Sequence, residues 1–253
     1  MESKNDRLKQ FLVIAATGGT IFFNWLAASG YINGVTPETI SDKYPTFATP
    51  AGYAFTIWSL IYFGMAVFSI YQLNIFGALP KNAERFRGAR SLYILSCAAN
   101  CAWIYFWHND QILICLFVIL ALLATLLLIN IKIRNAGTNA EFWLVKAPFG
   151  MYFGWVTVAA MVNFAVALKY LKVEVSDTAA IALSCIFILL AAFFGVMARI
   201  KLGNYLYPLA IAWAVTAIAV KQSGQTLIVV AAAVACIVSL FTALSFVLTE
   251  KSR

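Results

Sequence analysis

The chain has 253 residues, of which 63% are hydrophobic and only 11% are charged, and its mean hydropathy is +0.86. A soluble domain of this length carries about a quarter charged residues, so the composition excludes a water-soluble globular protein. The net charge of +8 does not indicate nucleic-acid binding, because the Lys and Arg residues stand in short clusters between apolar stretches and form no solvated basic face.

Long apolar runs predict helices that cross a lipid bilayer. The hydrocarbon core needs about 20 apolar residues in a helix, and the runs here are continuous rather than alternating, which excludes a transmembrane barrel. We therefore predict an all-α integral membrane protein, a bundle of eight transmembrane helices. The predicted spans are 10–29, 51–76, 89–107, 111–133, 142–168, 178–198, 205–220 and 227–248. The seventh is the shortest.

The distribution of Lys and Arg among the connecting segments predicts the orientation. With the N-terminus inside, 14 of the 18 Lys and Arg residues fall on the cytoplasmic side and 4 on the other side. Positive residues accumulate in cytoplasmic loops, so this split predicts a multi-pass protein of the inner cell membrane with both termini in the cytoplasm. The first span resembles a signal peptide in its basic start, but its apolar run of about twenty residues favours a retained helix.

Two connecting segments have features of their own. The outer segment 30–50 contains Thr36-Pro37-Glu38, a helix-start signal that predicts a short interfacial helix. The inner segment 77–90 is basic and is expected to lie on the membrane surface.

The spans lack the groups that catalysis or ion coupling would need. Apart from Lys and Arg at the span ends, they contain no Asp, Glu, Lys, Arg or His. No catalytic residue and no set of metal ligands can be named. The spans also lack the carboxylates that proton- or cation-coupled transporters commonly use. The single histidine, His108, lies in an outer turn, where we expect a solvated side chain; a gate or metal contact is the alternative.

Three spans instead carry aromatic and amide residues at helical spacing. They are Trp58 and Tyr62 (i, i+4), Asn100 and Trp103 (i, i+3), and Trp155, Ala159 and Asn163 (i, i+4, i+8). If the three faces converge, they form an uncharged cavity suited to a flat, apolar, partly polar molecule. The alternative for the amides is hydrogen bonding between helices, and for Trp25, Trp107 and Trp143 it is the aromatic belt at the membrane interface.

Gly150 and Gly154 form a small-xxx-small pair on the fifth span. Such a pair lets another helix approach closely. We favour packing within the chain, with a homodimer seam as the alternative.

The same faces resemble the translocator protein/tryptophan-rich sensory protein (TspO/MBR) family. The stretch from Trp58 to Tyr62 is similar to the family's W-S/T-x-x-Y segment. Residues 100–106 are similar to its N-x-x-W-x-x-F segment, and Tyr152 to Asn163 to its Y-x-x-W…N segment. The chain departs from the family pattern in having Pro50 where paired prolines are expected, Thr56 before the tryptophan of the second span, and Met151 before the tyrosine of the fifth.

The resemblance implies a five-helix membrane domain over residues 1–170, followed by three additional transmembrane helices over 171–253 without a counterpart. It further implies a pocket for porphyrins, sterol-like lipids or aromatic ligands. The ligand-binding residues implied are Trp58, Tyr62, Asn100, Trp103, Tyr152, Trp155, Ala159 and Asn163.

We therefore expect a membrane protein that binds a hydrophobic aromatic ligand for sensing or translocation. A tetrapyrrole is the leading candidate, and a porphyrin or haem-related molecule is the only cofactor suggested. An uncoupled transporter of small solutes or lipids is the alternative. A porphyrin-degrading enzyme is less favoured, because no conventional acid, base or metal site is present. An accessory role in a larger complex also stays open.

Overall fold

The computed structural model describes residues 4–73, 84–135 and 138–250, and within these ranges the chain is helical and contains no strand. The helices are α1 (Lys4–Ala28), α2 (Pro37–Lys43), α3 (Ile57–Tyr71), α4 (Glu84–His108), α5 (Ile112–Ile133), α6 (Asn139–Glu141), α7 (Ala147–Tyr170), α8 (Asp177–Leu202), α9 (Leu206–Lys221) and α10 (Thr226–Glu250). A 3₁₀ turn, Gly52–Thr56, precedes α3, and a π-helical turn, Phe142–Lys146, precedes α7.

A helix lies at each predicted span, but the count of eight crossings is not confirmed. Six helical stretches in the described ranges are long and apolar enough to cross a membrane, so the chain is a multi-pass membrane protein. α4 is not among them, because its charged start, Asn100 and its Tyr and Trp residues lower its hydropathy. α9 has 16 residues, which gives about 24 Å of helix against a core of about 30 Å.

The connecting segments agree in part with their predictions. The expected short helix is confirmed as α2, with Pro37 at its first position. Its location at the membrane interface stays a prediction. α4 begins at Glu84, so the end of the basic inner segment is helical. The predicted end of the second span at residue 76, and the loop residues up to 83, lie outside the described residues.

The chain divides into two compact units. Unit 1 comprises Met1–Pro37 and Trp58–Phe149, and unit 2 comprises Glu38–Ile57 and Gly150–Arg253. From Gly150 onward α7 therefore belongs with α8–α10. This grouping differs from the predicted division after residue 170.

Unit 1 combines an aromatic core with buried hydrogen bonds between helices. The rings of Phe68, Tyr93 and Phe149 meet edge to face, with centroids 4.8–5.7 Å apart. Beside them, the Thr17 hydroxyl lies 2.6 Å from the Ser69 hydroxyl and 2.5 Å from that of Tyr93. Each polar group thus finds a partner on another helix, as a water-free interior requires.

In unit 2, the start of α9 packs closely against the glycine pair of α7. A Cβ atom on Gly150 would collide with the Asn204 carboxamide, and one on Gly154 would lie 2.5 Å from the Tyr207 carbonyl oxygen. The Asn204 side chain accepts hydrogen bonds from the backbone N–H groups of Leu206 and Tyr207, which satisfies donors in the first turn of α9. The small-xxx-small pair therefore packs within the chain.

We expect Gly154→Ala to destabilise unit 2. The new methyl group must displace backbone rather than a flexible side chain, and overpacking of this kind costs about 1–3 kcal/mol. Thermal unfolding of the detergent-solubilised protein measures the effect as a lower Tm. Gly19→Ala is the matched control, because a Cβ atom there meets nothing within 4 Å and Ala is the better helix former. Equal Tm values for the two variants would contradict the close packing of α7 on α9.

Candidate functional site

Four of the predicted site residues lie in unit 1, namely Trp58, Tyr62, Asn100 and Trp103, and three of them stack together with Trp107. Trp58 and Tyr62 stack one turn apart on α3, with ring centroids 5.5 Å apart and planes at 17°. Trp58 also faces Trp103 of α4 at 6.4 Å and 31°. Trp103 in turn stacks on Trp107 at 5.4 Å and 21°. We call Tyr62, Trp58, Trp103 and Trp107 the aromatic column.

The column is buried at one end and partly open at the other. Trp103 and Trp107 are only 4% and 2% exposed, whereas Trp58 and Tyr62 are half-buried. The Trp107 indole N–H donates to the Pro37 carbonyl oxygen at 3.0 Å. A further flat molecule could therefore reach the column at Trp58 and Tyr62.

Trp107 is buried within the protein, so its side chain does not face lipid as a residue of the interfacial belt would. α4 continues to His108, so Trp107 lies one turn after Trp103 on the same buried face. The i, i+4 spacing of the two tryptophans was the signal that could have placed it there. Trp25 and Trp143 are 53% and 62% exposed, in agreement with their expected belt positions.

Amide and hydroxyl groups lie beside the column. Asn100 is fully buried, and its Oδ1 accepts a hydrogen bond of 2.6 Å from Nδ2 of Asn24 on α1. The Asn24 amide also donates to the Thr20 carbonyl oxygen, so this amide pair links α1 to α4. Asn100 therefore links two helices by a hydrogen bond, which was the alternative to ligand binding. Asn100 also lies next to Tyr62, so it can take part in ligand binding as well.

The Tyr62 hydroxyl is the most informative polar group of this cluster. It is buried next to the Asn100 side chain, yet it makes no hydrogen bond of standard geometry within the described residues. A buried hydroxyl without a partner costs about 1–3 kcal/mol. A ligand that supplied a donor or an acceptor here would recover that free energy on binding.

The other four predicted residues lie on α7 in unit 2. Tyr152, Trp155 and Asn163 are 1%, 4% and 3% exposed, and Ala159 is half-buried. The Asn163 amide donates to the Ala159 carbonyl oxygen at 2.8 Å, one turn earlier on the same helix. The Trp155 ring meets the edge of Phe55 from the 3₁₀ turn, with centroids 6.1 Å apart.

The predicted residues thus form two groups, one in each compact unit. Trp58, Tyr62, Asn100 and Trp103 are brought together in unit 1. Trp155, Ala159 and Asn163 share one face of α7 in unit 2, with Tyr152 on the preceding turn. The convergence of both groups on one chamber stays a prediction.

The expectation of a solvated His108 is wrong. The side chain is 3% exposed, and Nδ1 lies 2.8 Å from the Ile104 carbonyl oxygen. The physical reason is the length of α4: its last turn includes residue 108, and the ring folds back on that turn. No group of three or more His, Cys, Asp and Glu that could hold a metal occurs in the described ranges.

Comparison with known proteins gives one match. The family model described as TSPO-like protein matches residues 10–246. No curated protein and no solved structure matches the chain. The match includes α8 and α9 and most of α10. That these three helices are additions to a five-helix domain stays a prediction. Because almost the whole chain is covered, the chain belongs to the TSPO-like protein family.

Proposed function

We propose that this protein binds a flat, hydrophobic aromatic ligand inside the membrane, for sensing or for translocation. The observation that carries the proposal is the aromatic column of unit 1, whose half-buried end holds a buried Tyr62 hydroxyl that makes no hydrogen bond of standard geometry within the described residues. A tetrapyrrole such as protoporphyrin is the leading candidate ligand. The proposed location is the inner membrane with both termini in the cytoplasm, the orientation that the distribution of Lys and Arg predicts.

The column supports this ligand class through shape and chemistry. A planar macrocycle can extend the stack from Trp58 and Tyr62, and each aromatic contact contributes about 0.5–1.5 kcal/mol beyond the burial of apolar surface. The predicted spans hold no charged residue in their central parts, so a ligand at that depth would be held by its neutral rings. Ionised groups of the ligand would remain at the aqueous end, because burying an unpaired charge is costly.

The proposal extends to the face of α7 in unit 2. Trp155 offers a further indole, and Ala159, one turn further on, has a small side chain. Tyr152 and Asn163 border that face. We include these four residues as ligand contacts.

Trp58→Leu should weaken protoporphyrin binding about tenfold, because a stacking surface is lost together with buried apolar area. The change in the absorbance of protoporphyrin itself is the measurement, so that removing an indole does not remove the signal. Trp25→Leu, at a position 53% exposed, is the matched control and should bind as the wild type does. Trp155→Leu tests the second group, and wild-type affinity in that variant would remove α7 from the site. Wild-type affinity in Trp58→Leu would refute the aromatic column as the binding surface.

Tyr62→Phe should separate stability from binding. The free protein should keep its stability or gain up to about 1 kcal/mol, because the removed hydroxyl is buried and makes no hydrogen bond of standard geometry within the described residues. Affinity for protoporphyrin should fall about fivefold, because the hydroxyl then no longer pairs with the ligand. Unfolding of the free protein and ligand titration give the two values.

Tyr93→Phe is the control for this pair of effects. Its hydroxyl is bonded to Thr17, so its removal should lower stability by about 0.5–1.5 kcal/mol and leave affinity unchanged. If Tyr62→Phe lowered stability by as much as Tyr93→Phe, the Tyr62 hydroxyl would have a partner in the free protein.

An uncoupled transporter of small solutes or lipids is the second candidate. It is favoured by the family match, which continues through α8 and α9 into α10. Liposomes that contain the protein, with albumin enclosed as an acceptor, separate the two functions. Protoporphyrin that reaches the enclosed albumin faster than in protein-free liposomes indicates translocation. Binding without faster transfer indicates a sensor, and faster movement of a fluorescent phospholipid indicates a lipid transporter.

A further inference from the structure

An irregular segment of unit 2 is fastened to α9. Residues 44–56, which we call the strap, connect α2 to α3 and end in the 3₁₀ turn. The Ala51 amide donates to the Ala217 carbonyl oxygen at 2.9 Å. The Trp213 indole N–H donates to the Ala54 carbonyl oxygen at 3.1 Å, and the Tyr53 ring packs edge-on against Trp213 with centroids 5.3 Å apart.

The end of α9 adds a second attachment. The Gln222 side-chain amide donates to the carbonyl oxygens of Thr46 and Thr49, at 3.1 and 3.3 Å. One residue earlier, Lys221 pairs with Asp42 at 2.9 Å, but both side chains are well exposed, and such pairs contribute little. Most of the strap is not helical, so helical hydrogen bonds within the strap do not satisfy its carbonyl groups. Donors on α9 and at its end satisfy some of these carbonyl groups instead.

The strap also reaches a proposed ligand contact. Phe55 belongs to the turn that Ala51 and Ala54 attach to α9, and its ring packs on Trp155 of α7. α9 itself is seated on the glycine pair of α7. Within unit 2, α7, α9 and the strap therefore contact one another in pairs, and Trp155 lies where α7 meets the strap.

We propose that Gln222 and Trp213 are positioning residues that hold Phe55 against Trp155, and that release of the strap from α9 controls ligand exchange at Trp155. This inference rests on the proposed function. It gives the short helix α9 a specific role, namely to anchor the strap.

Gln222→Leu tests the inference, with Gln225→Leu as the matched control. Leucine is similar in size to glutamine but cannot donate to Thr46 and Thr49. The Gln225 side chain has no described hydrogen bond to the strap, and its own backbone bonds are unaffected by the change. Trp213→Phe removes the bond to Ala54 and leaves an aromatic ring opposite Tyr53.

The first readout is hydrogen–deuterium exchange of the strap amides in the detergent-solubilised protein without ligand. We expect exchange across residues 44–56 to be at least tenfold faster in Gln222→Leu, several-fold faster in Trp213→Phe, and unchanged in Gln225→Leu. Unchanged exchange in Gln222→Leu would overturn the inference, whatever the ligand proves to be. If Gln222→Leu lowers the Tm, its faster exchange could come from general destabilisation, and the exchange rates of Trp213→Phe then decide the test.

The second readout is the rate of protoporphyrin exchange. Association and dissociation should both be about fivefold or more faster in Gln222→Leu, with a Kd within threefold of wild type, because strap opening is common to both directions. A merely structural role would leave both rates unchanged, and unchanged rates with a freed strap would overturn the control of exchange. Failure of the wild type to bind protoporphyrin would refute that ligand, while the deuterium measurement would still decide whether α9 anchors the strap.

Discussion

The absence of water inside a bilayer is the constraint on which the rest of this structure depends. A backbone or side-chain polar group at that depth must find its partner within the protein. The apolar runs therefore become helices, whose backbone groups pair internally. The side chains that could not be left unpaired, such as Thr17 and Asn24, bond across to neighbouring helices of unit 1. Hydrogen bonds in this protein thus specify which helices adjoin, while apolar contact fills the remaining space.

The same constraint gives meaning to a polar atom without a partner. The Tyr62 hydroxyl adjoins the half-buried Trp58 ring and has no standard hydrogen bond in the described structure. A buried hydroxyl without a hydrogen bond of standard geometry costs free energy, and a ligand that pairs with it recovers that free energy on binding. An apolar stacking surface and a nearby hydroxyl together favour a flat, hydrophobic molecule with a polar group that can hydrogen-bond to Tyr62, which is the ligand class proposed above.

The sequence predicted positions along the chain better than neighbours in space. Helix locations followed from the length of apolar runs, and α2 followed from Pro37, because both signals are local. His108 is buried rather than solvated because α4 extends to residue 108, and the sequence does not mark where this helix ends. The pairing of Asn100 with Asn24 could not be read from the chain, since 76 residues separate them.

The sequence could not predict the close contacts made by backbone atoms either. The glycine pair of α7 indicated a close neighbour but not which one, because any small or flat surface can fill that space. The neighbour is the start of α9, including the Tyr207 carbonyl oxygen. The role of Phe55 was missed for a related reason. Its position depends on carbonyl groups of an irregular segment, which carry no side-chain signal in the sequence.

The chemistry of the strap attachment determines how it would respond to its surroundings. Ala51, Trp213 and Gln222 contribute neutral hydrogen bonds, and the nearby ion pair between Lys221 and Asp42 is exposed. Neutral bonds are insensitive to ionic strength, and an exposed pair adds little that salt could screen. Each neutral bond contributes about 1 kcal/mol, so a segment held by a few of them opens locally far more often than the protein unfolds. Opening of the strap would therefore be governed by temperature and by occupancy of the site beneath Phe55, rather than by a charge or a coupling ion. That behaviour suits a binding site whose predicted spans carry no charged residue in their central parts.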